Sequence, residues 1–75
     1  MPLIEVHPIE NVFNREQKRQ IVQELTDTMV SIEGENMRGV SWVRIPEVTS
    51  GEWGIGGQPL TTEAVKDFAA GRKAA

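Results

Sequence analysis

Apolar and polar residues alternate at the start of the chain and then change period. Ile4 and Val6 are interleaved with Glu5 and His7, a period of two that predicts a half-buried strand over residues 3–9. Pro8 has no N–H to give to a ladder, so it belongs at an edge or at the strand's end. Residues 11–14 read as a loop. From Asn14 the period lengthens. Ile21, Val22, Leu25, Met29 and Ile32 recur at helical spacing, with Lys18, Arg19, Gln23, Glu24 and Asp27 between them. Asn14, followed by Gln17, is a capping-box signature for the helix start. Gly34 predicts the stop, because glycine accepts the left-handed backbone that ends many helices. The helix predicted between them has about 18 to 20 residues, the long end of the usual range.

Residues 40–47 read as a second strand, with Val43 and Ile45 on one face and Val40, Trp42 and Arg44 on the other. Strand, long helix and strand make a βαβ unit with parallel pairing and a right-handed connection. One helix covers one face of so small a sheet, here assigned to Val43 and Ile45. The face with Trp42 and Arg44 needs another cover, for which a second subunit is the simplest candidate. Residues 50–59 carry Gly51, Gly54, Gly56 and Gly57, which predict a tight hairpin. The strand-to-helix context and the spacing of a phosphate loop are missing. Thr61 or Thr62 would cap a short final helix through Ala70, with Ala64, Val65 and Phe68 as its apolar members. Residues 71–75 read as a frayed tail. The prediction is a single α/β domain over residues 1–75: one βαβ unit, a C-terminal β-hairpin and a short helix, with no repeat and no linker.

Composition narrows the picture. A chain of 75 residues buries only about 60% of the surface its unfolded form exposes, so a lone subunit is marginal. The sequence holds no cysteine and one histidine, His7, which removes disulfides, thiolate chemistry and a histidine metal cluster. Oligomerisation is the stabiliser that remains. A net charge of −3 and a pI near 5.0 argue against nucleic acid as a partner. No apolar run approaches the ~20 residues of a membrane span, and no signal-peptide pattern opens the chain. A cytoplasmic protein is the expectation.

The candidate chemistry begins at Pro2. Initiator methionine is normally removed before a small residue, and removal of Met1 would leave Pro2 as a free secondary amine. An ordinary α-amine has a pKa of about 7.7–8.0. An apolar pocket or a nearby cation disfavours the ammonium and lowers that value, giving a general base near neutral pH.

Pro2-Leu3-Ile4-Glu5-Val6-His7, the helix containing Glu16-Gln17-Lys18, the second strand, and Ser50-Gly51-Glu52-Trp53-Gly54-Ile55-Gly56-Gly57 occur here in an order and spacing that resemble the 4-oxalocrotonate tautomerase family. The last segment is the most specific. The resemblance covers roughly the first 57 residues, with one-residue additions in two loops. It implies βαβ units paired into dimers with four-stranded sheets, a homo-oligomer that is most often a hexamer, and no cofactor. It implies an N-terminal proline that moves a proton between carbons of an enol acid. It also implies arginines that hold the substrate carboxylate and stabilise the enolate, and an aromatic residue that closes the pocket.

By this resemblance Pro2 corresponds to the catalytic proline and Trp53 to the aromatic. The first arginine of the pattern falls near Val12 and Phe13, which are uncharged, and the second falls on Trp42. Arg44, on the same face of the strand, and Arg38, just before it, are the candidate cations. With Trp42, Trp53 and Phe13 the site would be more apolar than the family pattern. A monocarboxylate with an apolar or aromatic part, such as phenylenolpyruvate, would fit better than a dicarboxylate such as 2-hydroxymuconate. Other readings stay open here. Trp42 fits a subunit interface as well as a pocket, and Arg44 fits an interface ion pair as well as an anchor. His7 reads as structural. The same proline could act as an acid, as in the hydratases and dehalogenases of the superfamily. The fold could also serve as a non-catalytic oligomeric binding module.

Overall fold

A computed structural model describes residues 2–71. Met1, whose removal the proline chemistry requires, and residues 72–75 of the expected tail lie outside the described residues. The elements run β1 (Leu3–Glu5), α1 (Arg15–Glu33), a 3₁₀ segment (Glu35–Val40), β2 (Trp42–Arg44), β3 (Trp53–Ile55), β4 (Gln58–Leu60) and α2 (Thr62–Ala69). The described residues fall into two compact units. Residues 2–6 and Asn14–Pro46 form the first, and His7–Phe13 with 47–71 form the second.

The first unit is the βαβ element. β1 and β2 pair in parallel, with Leu3 opposite Trp42, Ile4 opposite Val43 and Glu5 opposite Arg44. Trp42 N–H donates to Pro2 O at 3.0 Å and Val6 N–H to Arg44 O at 3.0 Å, so the ladder reaches Pro2 at one end. Side chains alternate across a pleated strand. Ile4 and Val43 are therefore half-buried, while Leu3, Glu5, Trp42 and Arg44 share the exposed face. α1 packs against β2 and the 3₁₀ segment.

The capping box at Asn14 is formed in both directions. Gln17 N–H donates to Asn14 Oδ1 at 2.8 Å, and Asn14 N–H donates to Gln17 Oε1 at 2.9 Å. α1 has 19 residues and stops at Gly34, as expected, but with different geometry. Gly34 has φ 103° and ψ 151°, outside the left-handed helical region and in one that only glycine enters freely. Val30, absent from the expected stripe, is the buried residue of α1, whereas Ile32 is 76% exposed. At 3.6 residues per turn the two lie about 200° apart around the helix. They occupy opposite edges of a broad apolar face, and the narrow sheet covers one of them.

Both strands are shorter than the alternation suggested. The expected strand over residues 3–9 breaks after Glu5, and Pro8 interrupts donation before a single parallel bridge forms between Ile9 and Val48. The expected strand over 40–47 begins at Trp42, because Val40 closes the 3₁₀ segment. Ser41 fixes that segment. Its Oγ donates to Met37 O at 2.9 Å and also lies against Glu33 Oε1.

In the second unit the glycine-rich stretch is a hairpin, β3 paired antiparallel with β4. Its two-residue turn has φ 57° at Gly56 and φ 82° at Gly57, the positive pair that a type I′ turn requires. Pro59 stands opposite Gly54, one pair beyond the turn, where an antiparallel pair exchanges no hydrogen bonds and a missing N–H is tolerated. Thr61 caps α2 through Ala64 N–H. Thr62, 6% exposed, ties the unit together: its Oγ1 donates to Glu10 O at 2.6 Å and its N–H to Ser50 Oγ at 2.9 Å. Ile9 is buried here. Among the described residues no helix is long and apolar enough to cross a membrane.

Candidate active site

Four of the six sequence-predicted site residues, Pro2, Arg38, Trp42 and Arg44, belong to the first unit, and Phe13 and Trp53 belong to the second. Pro2 is half-buried at the head of β1, and its carbonyl is fixed by Trp42 N–H. Glu5 lies three residues further along β1, so Arg44 opposite it stands about 10 Å from Pro2 along the strand direction. On the exposed face of this ladder an apolar pair, Leu3 and Trp42, adjoins a charged pair, Glu5 and Arg44. Trp42 is 55% exposed and Leu3 53%.

The two candidate arginines differ in how far they are committed. Arg38 donates three hydrogen bonds: Nε to Glu35 Oε1 at 2.8 Å, Nη2 to Glu35 Oε2 at 3.3 Å, and Nη1 to Asp27 Oδ1 at 2.8 Å. The Glu35 hydrogen bonds, then the Asp27 one, raise the guanidinium above its ordinary range. The Arg38 hydrogen bond in turn holds the Glu35 carboxyl below its ordinary value of 4.5. Arg38 thus fastens the 3₁₀ segment to α1. Arg44 donates from Nη1 alone, to Glu5 Oε2 at 3.0 Å, leaving Nε and Nη2 outside that bond.

Glu5 is the partner that sequence reading missed. Its alternation with Ile4 was legible, but the register that sets it against Arg44 was not. Arg44 was also read as one half of an ion pair across a subunit interface; the carboxylate it bonds here, Glu5, lies in the same chain.

Phe13 and Trp53 do come together. They line one open apolar pocket of about 340 Å³ in the second unit, with Val12, Pro8, Leu60 and His7. An adjoining groove of about 370 Å³ runs past Ile55, Leu60, Val65 and Phe68. Val12 and Phe13, where the resemblance places an arginine, form part of this apolar wall. His7, read as structural, stands at the same pocket. Among the described residues no three carboxylate or imidazole side chains converge as metal ligands.

Within the first unit, then, an apolar pair, Leu3 and Trp42, and an ion pair, Glu5 with Arg44, share one face of the ladder that begins at Pro2. A family model described as "Tautomerase enzyme" matches residues 2–63. The chain is also similar to a solved structure, DmpI from Helicobacter pylori, with 27% identity, 88% of this chain and 94% of that chain covered, and a TM-score of 0.56. No curated protein matches it. The family match starts at Pro2 and spans the βαβ unit and the glycine hairpin, so this chain belongs to the tautomerase family of enzymes.

Proposed function

We propose that the chain is a cofactor-independent keto–enol tautomerase that moves a proton on a small 2-oxo acid or its enol. Pro2, freed by removal of Met1, is the general base. The observation that carries this reading is the position of Pro2: it opens the family match and is held by Trp42 N–H at the head of the ladder whose exposed face bears Arg44.

In the reaction the proline amine takes a proton from the carbon or hydroxyl of one tautomer and returns it at the other position. Arg44 grips the carboxylate and lowers the energy of the enolate that forms between the two transfers. Arg38, with three N–H bonds already made, is the weaker anchor. Trp42 supports the apolar part of the substrate. By the resemblance Trp53 corresponds to the aromatic that closes the pocket, and together with Phe13 it lines an apolar pocket of its own unit. The active form is a cytoplasmic homo-oligomer, a hexamer by the resemblance, and the exposed face of β1 and β2 is one surface that a second subunit would cover.

The test is ketonisation of phenylenolpyruvate and 2-hydroxymuconate, followed by ultraviolet absorbance. It uses protein whose intact mass shows loss of Met1, with Pro2→Ala alongside. General acid–base catalysis is worth about 10²- to 10⁴-fold, so turnover should fall by that order in Pro2→Ala. Full activity in Pro2→Ala would end the proposal. Rate should rise with pH through the amine's pKa for a base, and fall for the acid of a hydratase or dehalogenase. The ion pairing of both candidate arginines favours a second reading, a binding module without chemistry. It predicts no turnover from processed protein at any pH.

A further inference from the structure

We propose that Thr62 is a positioning residue. Through Glu10 and Ser50 it holds the loop that carries Phe13 against the hairpin that carries Trp53, and so fixes the pocket between them at a width that takes an aromatic ring. This rests on Trp53 being the aromatic of the substrate pocket.

The whole arrangement lies within the second unit. Val12 and Phe13, from the loop after Ile9, form one wall of the apolar pocket of about 340 Å³. Trp53 and Leu60, register partners across β3 and β4, form the other. A cavity of this size takes a small organic group, and aromatic walls suit a ring through offset or edge contacts. The walls are joined by residues that do not line the pocket themselves. Ser50 precedes Trp53 by three residues, Thr62 follows Leu60 by two, and Glu10 precedes Phe13 by three. Glu10 bonds both ends of the hairpin. Its Oε2 accepts from Ser50 N–H at 2.9 Å and its carbonyl accepts from Thr62 Oγ1 at 2.6 Å, while Thr62 N–H donates to Ser50 Oγ at 2.9 Å. Gly51 N–H donates to Leu60 O at 2.9 Å, so whatever holds Ser50 and Thr62 holds the open end of the hairpin. Thr62 is buried, and loss of its hydroxyl would leave the Glu10 carbonyl without that donor, which a buried acceptor tolerates poorly. An apolar contact forfeits about a quarter to a half of its attraction when a gap of about 0.5–1 Å opens. A wall that relaxes by that much loosens its grip on a ring with every pocket side chain still present.

The experiment measures calorimetric binding of two unreactive probes, 3-phenylpropionate and propionate, to protein whose intact mass shows loss of Met1. Wild type is compared with Thr62→Val, Thr62→Ser, Ser50→Ala and Trp53→Ala. Both probes carry one carboxylate and they differ by a phenyl ring, so the ratio of their affinities reports what the ring contributes. Wild type should prefer phenylpropionate by at least about tenfold. Valine keeps nearly the shape of threonine without the hydroxyl, and Thr62→Val should cut that preference about fivefold. Thr62→Ser, which keeps the hydroxyl, should retain it. In turnover of phenylenolpyruvate, Thr62→Val should raise KM by a similar factor and leave kcat within about twofold, the signature of lost uniform binding. The chain has two tryptophans and no tyrosine, so Trp42→Phe leaves Trp53 as the reporter. In that background Thr62→Val should shift the fluorescence emission and Thr62→Ser should not.

A Thr62 that only stabilises the fold would lower the melting temperature and leave the affinity ratio and the Trp53 emission of the folded protein at their wild-type values, and that result overturns the inference. So does an equal loss of the ratio in Thr62→Val and Thr62→Ser, because the hydroxyl would then not be the group that acts. If Thr62→Val does not fold, Ser50→Ala, which removes the acceptor for Thr62 N–H, decides by the same ratio. Trp53→Ala separates the two levels. If it leaves the preference for phenylpropionate at the wild-type value, or if wild type shows no preference, the pocket reading itself fails. If it abolishes the preference while Thr62→Val and Ser50→Ala keep it, only the role of Thr62 fails.

Discussion

Arg38 and Arg44 stand on either side of Trp42, and their guanidinium groups are held in different ways. Arg38 bonds two carboxylates from nearby turns of the chain, Glu35 and Asp27. Arg44 bonds one carboxylate on the neighbouring strand, through one nitrogen. Both are ion pairs on an exposed surface, where the net contribution to stability is small. What separates them is the donor geometry left over. A guanidinium recognises carboxylates through paired N–H groups, and only Arg44 keeps such an edge outside its existing bond. Counting salt bridges would rank Arg38 higher; counting unused donors puts Arg44 first as the proposed anchor.

The widest separation between the two should appear in substrate binding. Loss of a charge-assisted contact costs about 1.5–3 kcal/mol, so Arg44→Ala should raise KM for a carboxylate enol roughly 10- to 100-fold. Arg44→Lys should lie between, since an ammonium cannot make the paired contact. Arg38→Ala should leave KM within about twofold. Steady-state kinetics on folded variants checks this. The opposite ranking would move the anchor to Arg38, and unchanged KM in both would remove both arginines from the site.

The next effect is on stability and concerns the segment that carries Arg38. Gly34 joins α1 to the 3₁₀ segment with φ 103°. A Cβ there would meet nothing within 4 Å, so the cost of Gly34→Ala comes from the backbone alone. Backbone held in a glycine-only region costs about 2 kcal/mol for other residues. Urea unfolding at fixed protein concentration, needed because assembly adds to apparent stability, should show that loss with KM for the substrate unchanged. Wild-type stability in Gly34→Ala would mean that the segment re-forms with another geometry.

Much of this was readable from the sequence where the signal is local. The capping box at Asn14 and Gln17, the paired positive φ at Gly56 and Gly57, and the Thr61 cap each depend on residues within one turn of each other. The βαβ order was also legible, because the hydrophobic period changes from two to helical and back. Register was not. Glu5 and Arg44 are 39 residues apart, and no local rule sets which residue of β2 faces Glu5. Val40 looked like strand because it alternates with Trp42, but the Arg38 clamp and the Ser41 bond to Met37 hold it in the 3₁₀ segment. Phe13 and Trp53 could be named as candidate pocket residues from the resemblance. Their meeting with His7 in one pocket depends on how the loop after Ile9 returns against the hairpin of the same unit.

A smaller loss is expected at the start of α1, the helix that presents Asp27 to Arg38. Asn14→Ala removes the acceptor for Gln17 N–H and should lower stability by about 1 kcal/mol. Asn14→Asp should keep most of it, because a carboxylate accepts the same bond and suits a helix N-terminus. Neither change should alter the KM difference between the Arg38 and Arg44 variants. If Asn14→Ala shifted KM, the helix start would be coupled to the binding face, and the division between a structural and a binding arginine would be too sharp.

The smallest effect isolates the Arg38 clamp by pH. The hydrogen bond from Arg38 lowers the Glu35 carboxyl below 4.5 in the folded chain. A carboxyl whose folded pKa lies below its unfolded value stabilises the fold fully above the unfolded pKa, and loses that contribution as pH falls through the folded one. Wild type should therefore melt above Arg38→Gln near pH 6. The difference should shrink below about pH 4.5 and vanish in stronger acid, with both curves taken at constant ionic strength because exposed pairs are screened. Glu35→Gln should melt below wild type near pH 6 by less than Arg38→Gln does, because Arg38 keeps Asp27, and its gap to wild type should likewise close in acid as wild type loses the bond. A melting difference that stays constant from pH 6 down through the carboxyl range would mean that Arg38 acts through the packing of its stem. The distinction between a guanidinium committed to carboxylates and one available to a ligand would then have to rest on Arg44 alone.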